Sequence, residues 1–203
     1  MIDINGHISA IKREVSTALV DGKESVIVQV RRTYGAEPED VWDALTDPDR
    51  LRRWFLPVTG DLRLGGTFQT EGNAGGTIRQ CEPPRVLVVT WGSDTSVVRL
   101  DLSPASDGTV LHLRHSVPME FAQSGAGSLF VGPGWDSAVM TLAEYLAGTG
   151  PADPAVFIAS DEVQTFTKDS LQAWTKVVES SGTATDDELA QAMEVALPHW
   201  APA

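Results

Sequence analysis

The stretch Val41–Phe68 reads V-W-D-A-L-T-D-P-D-R-L-R-R-W-F-L-P-V-T-G-D-L-R-L-G-G-T-F, and it decides how the rest of the chain is read. Just before it, Glu37-Pro38-Glu39-Asp40 opens a helix. Proline suits a first helical turn, and carboxylates suit the positive end of the helix dipole. Val41, Trp42, Leu45 and Leu51 supply the apolar side. Asp47-Pro48 ends the helix, because a residue before proline disfavours helical geometry. Pro48 also starts a second short helix carrying Leu51, Trp54 and Phe55. A strand broken by Gly65-Gly66 follows.

Both flanks of this stretch read as sheet. Ile8–Ser16 and Ser25–Tyr34 are β-rich, with a hairpin signal at Asp21-Gly22-Lys23. Val26, Val28 and Val30 alternate with Ile27, Gln29 and Arg31, the period of two that marks a strand. Further strands are expected over 62–71, 76–81, 86–91, 96–102 and 109–117, separated by G-N-A-G-G, E-P-P-R, G-S-D and S-P-A-S-D-G turns. On the last two strands Val98, Leu100 and Leu102 share one face, and Leu111, Leu113 and His115 share another. After a Gly/Ser-rich loop at 124–128, Gly132-Pro133-Gly134 leads into a helix. Its Trp135, Val139, Leu142 and Leu146 form one apolar stripe. Runs of strands with few helices define an α+β fold, with the helix packed on one sheet face.

The organisation expected is a main domain over 1–150 and a helical extension over 151–203, with Pro151–Pro154 as the linker. Phe166, Leu171, Trp174 and Val178 lie on the first tail helix, and Thr185 with Glu188 forms a capping box for the second. The tail has too few apolar residues for a core of its own. It is expected to dock on the main domain or on a second subunit, so a homodimer is one expectation.

Composition excludes several partners. With 15 Lys+Arg against 28 Asp+Glu, the net charge is −13. Nucleic acid and anionic membranes need clustered cations, which this chain lacks. No window reaches about 18 continuous apolar residues, so no membrane span is expected. The single cysteine, Cys81, allows no internal disulfide, and it reads as a packed thiol in a strand. Met1–Ile8 lacks the basic and apolar run of a signal peptide. Together these features point to a cytoplasmic chain.

The quoted stretch resembles the SRPBCC (START-like, birch-pollen-allergen-like) superfamily, and within it the bacterial group named after the activator of heat-shock-protein-90 ATPase. Further matching segments are D-L-R-L-G-G-T-F at Asp61–Phe68, G-G-T-I-R-Q-C-E-P-P-R at Gly75–Arg85, L-V-V-T-W at Leu87–Trp91, L-H-L-R-H at Leu111–His115 and G-P-G-W at Gly132–Trp135. They fall in register over roughly residues 25–148. The resemblance implies a helix-grip fold, a curved antiparallel sheet around a long C-terminal helix. It also implies a cavity between them for a small apolar or aromatic ligand. Members include carriers, enzymes and chaperone cofactors, so fold alone does not fix the role.

The residues expected to line that cavity are Trp54, Phe55, Phe68, Trp91, Leu113, His115, Trp135 and Val139. Aromatic walls with few polar groups are typical of small-molecule sites, and equally of ordinary cores. If the Leu111–Leu113–His115 face is concave, His115 is the candidate acid, base or hydrogen-bonding handle. The plainer reading is a core histidine bonded to a neighbour. Arg79, Arg99 and Arg114 are read as a solvated outer face. No metal-ligand spacing, nucleophile motif or cofactor motif stands out, and G-N-A-G-G lacks the strand–loop–helix setting of a phosphate cradle. The expectation is a ligand-binding protein without cofactor or metal. An enzyme of the same fold using His115, such as a cyclase, dehydratase or hydrolase, is the alternative. A chaperone-ATPase activator-like interaction module is a third reading.

Overall fold

A computed structural model describes residues 2–150 and 153–200. The elements in chain order are α1 (Ile4–Ala10), β1 (Lys12–Val20), β2 (Lys23–Tyr34), α2 (Pro38–Thr46), α3 (Pro48–Leu51), β3 (Val58–Gly60), β4 (Thr67–Thr70), β5 (Gly75–Glu82), β6 (Val86–Thr90), β7 (Val97–Ala105) and β8 (Gly108–Pro118). Then come α4 (Met119–Ala122), a 3-10 helix (Gly125–Phe130), α5 (Gly132–Leu146), α6 (Pro154–Ile158), α7 (Asp161–Ser181) and α8 (Asp186–Trp200). The strands form one eight-stranded sheet in the order β1-β2-β8-β7-β6-β5-β4-β3, an α+β fold as the strand and helix patterns predict. Among the described residues no helix is long and apolar enough to cross a membrane.

Several boundaries differ from the sequence expectation. Ile4–Ala10 is helix rather than the start of a strand, because the Asp3 side chain accepts a hydrogen bond from the Gly6 amide at 2.9 Å and caps it. Residues 61–66 form a loop between β3 and β4, and Gly65 there takes a left-handed φ of +81°. The second short helix stops at Leu51, so Trp54 and Phe55 sit in the turn that follows it. The Gly/Ser-rich loop contains a 3-10 turn, capped by Ser124, whose Oγ accepts from the Ala126 amide. Cys81 is exposed rather than packed, near the end of the β5–β6 hairpin. Residues 151–152 of the expected linker lie outside the described residues.

The chain divides into two compact units. The first holds Met1–Val30, Ser116–Ala138 and Val156–Ala203, and the second holds Arg31–His115 and Val139–Ala155. In the first unit, α7 packs on α1, on β1, on the 3-10 helix and on α8. Its buried stripe is Val163, Phe166, Leu171, Trp174 and Val178. Thr185 and Glu188 exchange the reciprocal bonds of a capping box at the start of α8, Thr185 N to Glu188 Oε2 at 2.7 Å and Glu188 N to Thr185 Oγ1 at 3.3 Å. Gly132 lies under the Trp174 indole, where a Cβ would collide with the ring. Trp200 Nε1 donates to the Leu129 carbonyl at 2.8 Å.

The polar centre of this unit is Asp136. Its Oδ2 accepts from Arg13 Nε at 2.7 Å, Ser170 Oγ at 2.5 Å and Trp174 Nε1 at 3.1 Å. One carboxylate oxygen thereby ties β1, α5 and α7 together. Burial pushes the Asp136 carboxyl up to about 6, against the opposing pull of Arg13 and the Ser170 and Trp174 donors.

In the second unit, α2 packs on α3 and β7, and α3 on β3. Trp54 Nε1 donates to the Ala44 carbonyl at 2.9 Å, and Tyr34 Oη donates to the Val139 carbonyl at 3.1 Å. Burial pushes the Tyr34 phenol well above its ordinary value, with Arg32 pulling the other way. That phenol stays a donor at any ordinary pH.

Trp174 is 0% exposed and fills the seat above Gly132. Truncation to Trp174→Ala is expected to lower unfolding stability by about 3–5 kcal/mol, read by urea denaturation. A loss under about 1 kcal/mol would show that the tail contributes little to the core.

Candidate functional site

Strand alternation builds the site in the second unit. Residues opposite each other in antiparallel strands point to the same face, and residues two apart along a strand do too. Phe68 pairs with Gly76, and Ile78 is two residues on from Gly76. Ile78 pairs with Val89, and Val89 with Val98. Leu87 pairs with Leu100 on the same side. Trp91 and Ser96, two residues beyond Val89 and Val98, close this hairpin, with Trp91 N donating to Ser96 O at 2.9 Å. One face of β4 to β7 therefore carries Phe68, Ile78, Leu87, Val89, Val98 and Leu100, continuing to Trp91 and Ser96.

Two observations join further residues to that face. The Phe68 and Trp91 ring centroids lie 6.0 Å apart at 35°. Ser96 Oγ and His115 Nε2 are 2.8 Å apart, and both groups are buried. His115 follows Leu111 and Leu113 along β8, and all three are buried while His112 is half-buried. This is the face assignment that the sequence alternation predicts. The Ser96–His115 pair is thus a small polar island in an apolar surface. Burial holds the imidazole down to about 4, so it is neutral at physiological pH.

The opposite face is charged. Val88 pairs with Arg99 and Val86 with Asp101. Arg99 Nη2 donates to Asp101 Oδ1 at 2.7 Å, and Arg114 Nη2 donates to Asp101 Oδ2 at 2.8 Å. Partial burial raises the Asp101 carboxyl, but the bonds from Arg99 and Arg114 outweigh it and hold it below its ordinary value. Arg99 and Arg114 thus form the solvated ionic face read from the sequence.

Phe68 and Trp91 meet directly, and both are half-buried. Trp54 and Phe55 form a second ring pair, with centroids 5.4 Å apart. Trp54 is buried with its N–H already bonded to Ala44, and Phe55 is half-buried. Leu113 and His115 share the β8 face. Val139 is buried in the second unit and presents its carbonyl to Tyr34. Trp135 is half-buried and belongs to the first unit.

Ser96 was not among the sequence candidates. Its signal was available, since it lies two residues before Val98 and so shares a strand face with it.

An open groove of about 510 Å³ lies along β3 to β5. It is lined by Thr59, Thr67, Phe68, Gln69, Thr77 and glycines that include Gly60 and Gly76, and none of these described lining residues is charged. The register puts Thr59 with Gln69 and Thr67 with Thr77, on the face opposite the Phe68 ring. Gly60 and Gly76 are held as glycine by close backbone approach, because a Cβ would collide with the carbonyls of Thr67 and Thr90 respectively. Phe68 stands opposite Gly60 on β3 and Gly76 on β5, so no side chain lies directly across from its ring on either neighbouring strand.

This arrangement of sheet and helices is the START-like, helix-grip class. Residues 35–147 match the family described as activator of Hsp90 ATPase homolog 1-like protein. The chain belongs to that family. It is similar to CalU16 from Micromonospora echinospora: the crystal structure gives 34% identity and a TM-score of 0.70, covering 83% of this chain and 98% of CalU16. The solution structure of the same protein gives 35% identity and a TM-score of 0.72, covering 84% and 96%. DynU16, from the dynemicin biosynthetic locus, shares the fold at 24% identity and a TM-score of 0.56, covering 63% of this chain and 49% of DynU16. No curated protein matches the chain.

The buried imidazole makes a pH prediction. The folded His115 value of about 4 lies below the ordinary 6.5, so the folded state binds fewer protons than the unfolded chain in that window. Its contribution to stability is present above about 6.5 and is lost as pH falls toward about 4. His115→Gln is expected to flatten the acid side of the stability curve between those values, measured by urea denaturation at stepped pH. An unchanged slope would mean that the imidazole is not buried as described.

Proposed function

We propose that this chain binds a small apolar or aromatic molecule against the Phe68–Trp91 wall of the second unit. The observation that carries the reading is one sheet face holding two touching, half-buried aromatic rings beside a single buried Ser96–His115 pair. An apolar surface with few convergent polar groups is what recognition of such ligands requires. Phe68 and Trp91 supply stacking area. Ser96 and His115 supply one directional hydrogen bond, and Leu113 extends the apolar floor. Phe55 and Val139, in the same unit, complete the proposed ligand set, with Trp54 as packing support for Phe55. Membership of a START-like family supports the same reading.

Physical chemistry favours binding over acid–base catalysis. A general acid or base works best with a pKa near the operating pH. His115 stays neutral down to about 4 and is a weak base. The imidazole therefore suits a fixed hydrogen-bonding handle. A chaperone-ATPase-activating role rests on the family description alone. The exposed Val195 and Leu197 of α8 are the surface we assign to self-association, and a monomer mass by light scattering at high protein concentration would contradict that assignment.

The binding reading is tested with 2-naphthol as probe, by calorimetry and tryptophan fluorescence. Phe68→Ala is expected to weaken binding by about tenfold or more, the equivalent of about 1.4 kcal/mol. Thr67→Ala, on the opposite face, is expected to leave it unchanged. Equal effects of the two substitutions would place the ligand elsewhere.

A further inference from the structure

Asp136 concentrates its bonds on one oxygen. Oδ2 takes all three donors, from Arg13, Ser170 and Trp174. Arg13 uses Nε for that bond and Nη1 for the Ile8 and Ile11 carbonyls at 3.1 and 3.0 Å. Asp136 Oδ1 and Arg13 Nη2 are left over. Both atoms are buried, and neither has a hydrogen-bond partner among the described residues. The Asp136 side chain is 0% exposed and that of Arg13 6%. Buried polar atoms without partners are rare, because they have given up water and received nothing in return.

The two orphans are complementary. Through Cζ and Cγ, each is two bonds from an atom of the direct Nε to Oδ2 bond. Nη2 offers an N–H, and Oδ1 offers a lone pair. We propose that they form an internal site for a water-sized, uncharged molecule that accepts from Arg13 Nη2 and donates to Asp136 Oδ1. The charges on the site define this class. A cation would face the Arg13 guanidinium, and an anion would face the Asp136 carboxylate. An apolar guest would leave both atoms unbonded. Water meets every requirement, and a buried water commonly makes about three hydrogen bonds. Ser128 Oγ offers a third, being buried, without a hydrogen-bond partner among the described residues and in the same unit. It lies on the 3-10 helix that packs on both β1 and α7, the elements carrying Arg13 and Ser170. The guest completes the junction of β1, α5 and α7, so the polar centre of the first unit is a hydrated one.

A crystal structure of the full chain at atomic resolution, with water magnetic relaxation dispersion in solution, tests the site. The expected result is a water bonded to Oδ1 and Nη2, together with one fewer long-lived internal water in the Arg13→Met, Asp136→Leu double variant than in the parent. Direct Nη2 to Oδ1 bonding with nothing between them would overturn the proposal. So would equal counts of long-lived water in parent and variant. If the double variant does not fold, the parent crystal structure decides the question by itself.

Discussion

Strand alternation is the constraint on which the candidate site depends. From β4 to β8 each residue chooses one of two faces, and neighbours across the ladder must agree with it. Ile78, Val89 and Val98 are one such agreed row, Leu87 with Leu100 is another on the same side, and Phe68 shares that side through its partner Gly76. Val88 with Arg99 and Val86 with Asp101 form the contrary rows. A register slip of one residue would place Arg99 where Val98 stands. The irregularity between Ile78 and Gln80 shows the constraint at work. Without that extra residue, Ile78 and Gln80 would share a face. With it, Ile78 joins the apolar side while Gln80 reaches Arg99 across the charged side.

Much of this was legible in the sequence. The Val98–Leu102 and Leu111–His115 alternations state which side chains cluster, and the burial of Leu111, Leu113 and His115 follows from them. The helix over 38–46 was legible because proline, carboxylates and the Asp47-Pro48 stop mark both of its ends. What was not legible is contact between residues far apart in the chain. Ser96 finds His115 across 19 positions, and Arg13 finds Asp136 across 123. No local pattern encodes such pairings. Short-range competition explains the remaining differences. Asp3 capping Gly6 turned an apparent strand into α1, and Gly65 at positive φ broke the strand expected through 62–71.

The two units solve the problem of burying polarity in different ways. The second keeps its buried titratable imidazole neutral and bonded to a serine. The first buries a carboxylate beside a guanidinium and adds a hydroxyl and an indole N–H. Breaking such a pair by removing one partner strands a buried charge. The tail helix that supplies Ser170 and Trp174 is thereby part of the core of its unit. The glycine at 132 is the matching concession on α5, leaving room for the Trp174 ring.

On the proposed function, ligand recognition belongs to the apolar face and not to the ionic face or the threonine-lined groove. An NMR titration of isotopically labelled chain with 2-naphthol tests this most directly. Saturable shifts are expected at Phe68, Trp91, Leu113 and the His115 ring, with Thr67, Gln69 and Arg99 unmoved. Shifts confined to Thr59, Thr67, Gln69 and Thr77, or none that saturate, would contradict it.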